Sequence, residues 1–134
     1  MTTSNDFIIC FDFGLKYIGL AIGQRITNRA KPLCTLLAKN GIPDWFFLDA
    51  IIKNWNPNQF IIGISFFYKN LKVSIKLKQF KKDLFIRYKL PIFEMDESYT
   101  TFEAKNLLKK YKKDFLKINS LSAVFILEDW LRIN

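Results

Sequence analysis

No histidine occurs among the 134 residues, and that zero removes whole classes of chemistry. Ser-His-Asp and Cys-His triads, HExxH zinc sites and histidine-based ribonuclease chemistry all need an imidazole. Any hydrolytic activity must rest on carboxylates, lysine or a metal ion. Cysteine is scarce too. Cys10 and Cys34 stand in apolar, strand-like segments without CxxC spacing, which predicts buried thiols rather than a disulfide or a metal site. No apolar run approaches the roughly 18 residues a membrane helix needs. The opening MTTSNDF lacks the basic and apolar regions of a signal peptide. The mature protein is therefore expected to start near Met1 and to stay in the cytoplasm, with no membrane partner.

What is present is a core and a charge. Half of the residues are hydrophobic and 16% are aromatic, enough for one globular domain over 1–134. Neither a repeat nor a linker interrupts it. Lys and Arg total 21 against 12 Asp and Glu, leaving +9. Most of the excess falls in Lys69–Lys89 and Lys105–Lys117. Such surfaces attract phosphate backbones through counterion release, although lysines also simply fill solvated faces.

The apolar pattern orders the elements. Ile8 to Phe11 predict a buried strand, and Gly14 and Lys16 a tight turn. Tyr17 to Ile22 run back beside the first strand, and Lys31 to Ala38 form a third strand closed by Asn40-Gly41. Pro43 is expected to open a helix. In it Trp45, Leu48, Ile52 and Trp55 recur at helical spacing as a core-facing stripe, ended by Asn56-Pro57-Asn58. Phe60 to Ile64 read as a strand buried on both faces. Leu71 to Lys78 alternate like a strand, yet Val73, Leu77, Phe80, Leu84 and Tyr88 fit a long helix, and helix is preferred. Leu90 to Met95 predict a strand. Thr100 with Glu103 forms a capping box for a helix with Lys105, Lys109 and Lys112 along one side. A final helix is expected from about Ser120 to Leu131. The sum is an α/β fold, a five-stranded mixed sheet flanked by helices.

Phosphodiester hydrolysis with divalent metal needs carboxylates gathered around the ion, and open α/β sheets gather such groups at the carboxyl ends of parallel strands. Three places qualify. Asp12 ends the first strand, Asp96-Glu97 end the last, and Asn119 stands where the final helix is expected to begin. An unpaired carboxylate in the apolar company of Asp12 is costly to ionise, so it calls for a cation or hydrogen-bond donors nearby.

Four segments carry a resemblance: DFGLKYIGLAIG at 12–23, IIGI at 61–64, DESYTTFEA at 96–104 and NSLSAVFIL at 119–127. Together, in this order and at these separations, the chain resembles the YqgF (RuvX-like) family of Holliday junction resolvase-related nucleases, with a ribonuclease H-like fold. The resemblance spans nearly the whole chain. It implies a role in maturing the 5′ end of the 16S ribosomal RNA precursor in the bacterial cytoplasm, with Mg²⁺ or Mn²⁺ as cofactor. It implies Asp12 as the first acid and Glu97 as the second; the adjacent Asp96 would point the other way if the strand continues, as a turn or cap acid. A third acid opens the last helix in the family, but here that position holds Asn119. An amide oxygen binds metal without the charge, and an ordinary helix N-cap is the alternative role. Asp129 cannot substitute, being about 15 Å further along the helix.

Other positions depart from the family as well. Ser65 to Asn70, with Phe66, Phe67 and Tyr68, replace a polar, glycine-containing loop; these rings either stack on RNA bases or pack as an apolar lid. Ser98 replaces the arginine after the acidic pair. Lys16 keeps a cation near the first acid, and Lys105, Lys109 and Lys112 would grip phosphates. The leading expectation is a nuclease acting on ribosomal RNA precursor, with possible ribosome association. A nucleic-acid-binding factor with weak or no catalysis, and a resolvase acting on junction DNA, are the alternatives. A sugar-kinase-like reading of the DxG hairpin would require two such domains. Monomer and homodimer both remain open.

Overall fold

The computed structural model describes residues 6–64, 70–96 and 115–134. The central strand β1 (Phe7–Asp12) pairs antiparallel with β2 (Tyr17–Gln24) and parallel with β5 (Gln59–Ile64). Beyond β2 lies β3 (Arg29–Lys39), whose register skips Leu33 between Leu20 and Ala21. β6 (Ile92–Asp96) runs parallel to β5. Asn40 (φ 50°) and Gly41 (φ 82°) reverse the chain, so that Ile42–Pro43 make a two-residue strand β4 against Ala38 and Lys39. The sheet order is β4-β3-β2-β1-β5-β6. Because β4 is so short, Arg29 to Leu37 form an outer edge of the sheet among the described residues.

Helix α1 spans Trp45–Trp55 and α2 spans Leu71–Tyr88. Their starts follow capping chemistry. Asp44 accepts from the Phe46 and Phe47 N–H groups, and Asn70 from those of Lys72 and Val73. Asn56 ends α1 in the left-handed conformation (φ 49°), its N–H returning to the Ile52 carbonyl at 2.8 Å. The segment from Leu71 is thus helical, not a strand. Helix α3 covers Phe115–Ile133.

Three expectations need correction. Among the described residues the sheet has six strands rather than five, because the Asn40-Gly41 turn leaves room for β4. Pro43 sits in that strand and does not open the helix; Asp44, with a side-chain acceptor that proline lacks, caps α1 instead. The last helix starts earlier than Ser120, since Phe115 to Ile118 continue it without a break. Asn119 is therefore interior to α3, not its N-cap.

The sheet separates two cores. On one side Ile9, Phe11, Ile18, Leu20 and Phe60 meet Leu48 and Ile52 of α1 and Leu77, Phe80 and Leu84 of α2. Phe11 packs edge to face against both Phe60 and Phe80, each at 5.4 Å. Burying side chains of this size stabilises the fold by about 1.5–3 kcal/mol apiece. On the other side Ile8, Cys10, Ala21, Ile61 and Met95 meet Ala123, Ile126, Leu127 and Trp130 of α3. Cys10 is buried and Cys34 half-buried, and both remain thiols; burial pushes the Cys34 thiol above its usual range. Asp129, also buried, pairs with Arg132 within α3.

Helix α3 approaches the sheet closely because two glycines clear its path. A Cβ on Gly19 would lie 2.0 Å from the Asn119 carbonyl oxygen, and one on Gly63 would lie 2.4 Å from Ile126 Cδ1. At Gly19 the obstacle is main chain, so no side chain fits there; at Gly63 the Ile126 side chain would have to shift. On the opposite face a polar tie joins α1 to α2. The Tyr88 hydroxyl and the Arg87 guanidinium both donate to the Asp49 carboxylate, at 2.5 and 2.8 Å, and Arg87 also covers the Trp45 ring at 4.8 Å. The Tyr88 bond, followed by that of Arg87, holds the Asp49 carboxyl below its usual range. Burial, then the Asp49 bond, holds the Tyr88 phenol well above its own.

Two measurements check this packing. Gly19→Ala places a methyl group against main chain that cannot rotate away, so denaturant unfolding is expected to show a loss of at least about 1–3 kcal/mol. Gly→Ala at an uncrowded site would cost far less. Tyr88→Phe is expected to lose about 0.5–1.5 kcal/mol at neutral pH, towards the low end because Asp49 is half exposed to solvent. Since the folded Asp49 is depressed, its contribution is full above the unfolded value near pH 3.9 and fades as pH falls through the folded one. Unfolding of wild type and Tyr88→Phe at pH 7 and in acid should therefore converge as the pH drops.

Candidate active site

Strand β1 is buried for four consecutive residues and releases one acid at its carboxyl end. Side chains alternate along a strand, so Asp12 shares a face with Ile8 and Cys10, the face that α3 covers. Its neighbours across both strands are glycines: Gly19 in β2 and Gly63 in β5. Directly opposite Asp12 on either strand, therefore, stands a residue without a side chain. The main chain of Asn119 lies directly over Gly19. The fold thus brings Asp12 and Asn119, 107 positions apart in sequence, to one spot at the middle of the sheet.

The parallel strands β1, β5 and β6 all end at this edge, where Asp12, Gly63 and Met95 stand in register. Met95 is buried on the α3 face. The alternate positions of β6 face the other layer: Glu94 pairs with Lys81 of α2, and Asp96, two residues on, shares that side and is exposed. Asp96 therefore does not share a face with Asp12, as its place beside Glu97 suggested. Lys16 is exposed in the turn between β1 and β2. Its carbonyl accepts from the Ala38 N–H at 2.8 Å, which fastens this turn to the end of β3. Glu97, Lys105, Lys109 and Lys112 lie outside the described residues, as do Phe66, Phe67, Tyr68 and the helix expected from Thr100.

The donor chemistry suits a hard divalent ion. Asp12 and Asn119 offer oxygen, the sequence holds no imidazole to compete, and Mg²⁺ takes oxygen ligands in octahedral array. Among the described residues, no three of His, Cys, Asp and Glu stand together as a metal cluster. The tie of Asp49 with Tyr88 and Arg87 lies in the opposite layer, so its shifted protonation belongs to helix packing.

Sequence reasoning reached Asp12 and Asn119 as candidates but missed the glycines that bring them together. The signal was available: a glycine inside a strand marks close approach of another backbone, and both occur within the segments YIGLAIG and IIGI.

Comparison with known proteins agrees with this architecture. Residues 6–133 match the model of the family described as "RuvX: Holliday junction resolvase". A Pseudomonas fluorescens protein named "Putative pre-16S rRNA nuclease" is 37% identical over 134 residues, covering 95% of this chain and 92% of its own. A Francisella tularensis subsp. mediasiatica protein of the same name is 38% identical over 132 residues, with 95% and 97% covered. Among solved structures, Thermus thermophilus RuvC in complex with a Holliday junction substrate aligns with TM-score 0.60 over 95% of this chain and 94% of its own, at 10% identity. The fowlpox virus resolvase bound to Holliday junction DNA aligns with TM-score 0.59, at 13% identity over 95% and 97%. At such identities the likeness concerns the fold alone, and it bears out the ribonuclease H-like expectation. With a family model spanning residues 6–133 and relatives of this identity over nearly their full lengths, the chain belongs to the RuvX family.

Proposed function

We propose that this chain is a metal-dependent endonuclease that processes the 5′ end of the 16S ribosomal RNA precursor. The observation that carries the reading is the convergence of Asp12 and Asn119 over Gly19, at the carboxyl end of the central strand. Relatives named for this activity, 37–38% identical over nearly their whole length, support it. So does the net charge of +9, which suits a phosphate-rich substrate.

Asp12, Glu97 and Asn119 would hold Mg²⁺ or Mn²⁺. The ion, when bound, supplies an activated water and stabilises the charge of the leaving oxygen. The chain's own residues set where this happens. Asp12 is held by ladder pairing on both sides, so its carboxylate is positioned before substrate arrives. Lys16, exposed on the same edge, offers a cation to a nearby phosphate, and Lys105, Lys109 and Lys112 would extend that grip. Asn119 contributes an oxygen without charge, which lowers the pull on a divalent ion relative to an acid at the same place. That deficit supports a second reading, a nucleic-acid-binding factor of weak turnover. A junction resolvase rests on likeness of fold.

The test is cleavage of a precursor 16S fragment with Mg²⁺ or Mn²⁺, with four-way junction DNA as competitor. Asp12→Asn is expected to reduce cleavage by at least about 100-fold, the scale of losing one charge-stabilising group. Equal cleavage by the two proteins would remove Asp12 from the chemistry. Asn119→Asp is expected to shift the Mg²⁺ titration to lower concentration or raise turnover. If it changes neither, Asn119 is not a ligand. RNA binding that is tight and salt-sensitive, without any cleavage, would favour the binding factor.

A further inference from the structure

The sheet face opposite α3 carries a concavity of about 520 Å³, at the end of the sheet away from Asp12. Phe7 and Trp55 form one wall, meeting edge to face at 5.3 Å. Gln24, Thr27, Arg29 and Lys31 line the other side. Strand register explains the grouping. Arg29 stands across from Gln24 and Lys31 across from Ile22, so both cations project from the same side of β3, roughly 6.6–6.8 Å apart along the strand. Both are exposed. The Lys31 ammonium lies over the Trp55 indole, 5.3 Å from the ring centroid, and this attraction holds positive charge at the aromatic wall. Two carboxylates nearby are engaged with main chain: Asp6 accepts from the Ile26 N–H at 3.0 Å and Glu128 from the Ala30 N–H at 3.4 Å.

We propose that this groove binds single-stranded RNA of the substrate away from the bond that is cut, with phosphates on Arg29 and Lys31 and a base against Phe7 and Trp55. A cationic groove beside aromatic side chains is how proteins hold single strands without reading sequence, because every base has a flat apolar face. A duplex presents its bases only as edges and gains nothing from the aromatic wall. Phe7 and Asp12 are five residues apart on β1, roughly 17 Å, and their side chains lie on opposite faces. The groove therefore holds a flanking segment rather than the scissile nucleotide. It rests on the nuclease reading only for the identity of the RNA.

The experiment measures anisotropy of a fluorescent, non-cleavable 2′-O-methyl single-stranded RNA with the full chain in EDTA. Arg29→Ala/Lys31→Ala is expected to weaken binding at least about fivefold, and to flatten the slope of log K against log salt by about 1.4, the value for two phosphate contacts to a single strand. Trp55→Leu is expected to weaken binding by about fivefold or more, with circular dichroism to check folding. The two exposed cations decide the matter even if Trp55→Leu fails to fold. An affinity and salt slope unchanged in Arg29→Ala/Lys31→Ala, or no binding by wild type, overturns the groove. If precursor is cleaved while these variants bind normally, the groove alone fails. If the variants bind weakly while no precursor is cleaved by wild type, the nuclease reading alone fails.

Discussion

Main chain resting on main chain, Asn119 of α3 over Gly19 of β2, is the contact on which the rest of the molecule depends. It sets how near α3 comes to the sheet, and with that the space left for Asp12. Glycine at position 19 is a packing requirement, and the hydrophobic layer below it follows. Ala21, Ala123 and Leu127 can interlock only if the helix is that close. The same contact gives the acid its surroundings: a central strand on a rigid sheet, bare glycine on either flank, and a helix backbone above.

Much of this was legible in the chain. The buried run Ile8 to Phe11 with Asp12 at its end, the return strand and the stripe Trp45-Leu48-Ile52-Trp55 follow from periodicity, because each buries an apolar face with a characteristic repeat. The long segment from Leu71 satisfied two periods at once. Its length and the Asn70 cap decide for helix. β4 and the early start of α3 were not legible. A two-residue strand carries no pattern of its own, and Asn119 resembles a cap by residue type while Phe115 to Ile118 extend the helix before it.

The candidate site divides in the same way. Asp12 stood out because a carboxylate rarely ends an apolar strand without a purpose. Its nearness to Asn119 depends on how a helix settles on a sheet, which no local spacing encodes. The groove at the other end is harder still, since Phe7, Gln24, Arg29, Lys31 and Trp55 come from four elements brought together by sheet register. Perturbed protonation was no guide either. Asp49 and Tyr88 are shifted by their contact with each other and with Arg87, although strong shifts elsewhere often mark chemistry.

The long outer strand β3 has a consequence for how the molecule behaves in company. Unpaired edges invite sheets to add to one another, which leads to aggregation. Pro32 withholds an N–H from this edge, and Arg29 and Lys31 set like charges along it. Two such edges repel before they can pair. Arg29 and Lys31 would thus serve twice, as a hold on RNA and as a guard on colloidal stability, so a chain stripped of them risks clumping even where its fold is intact.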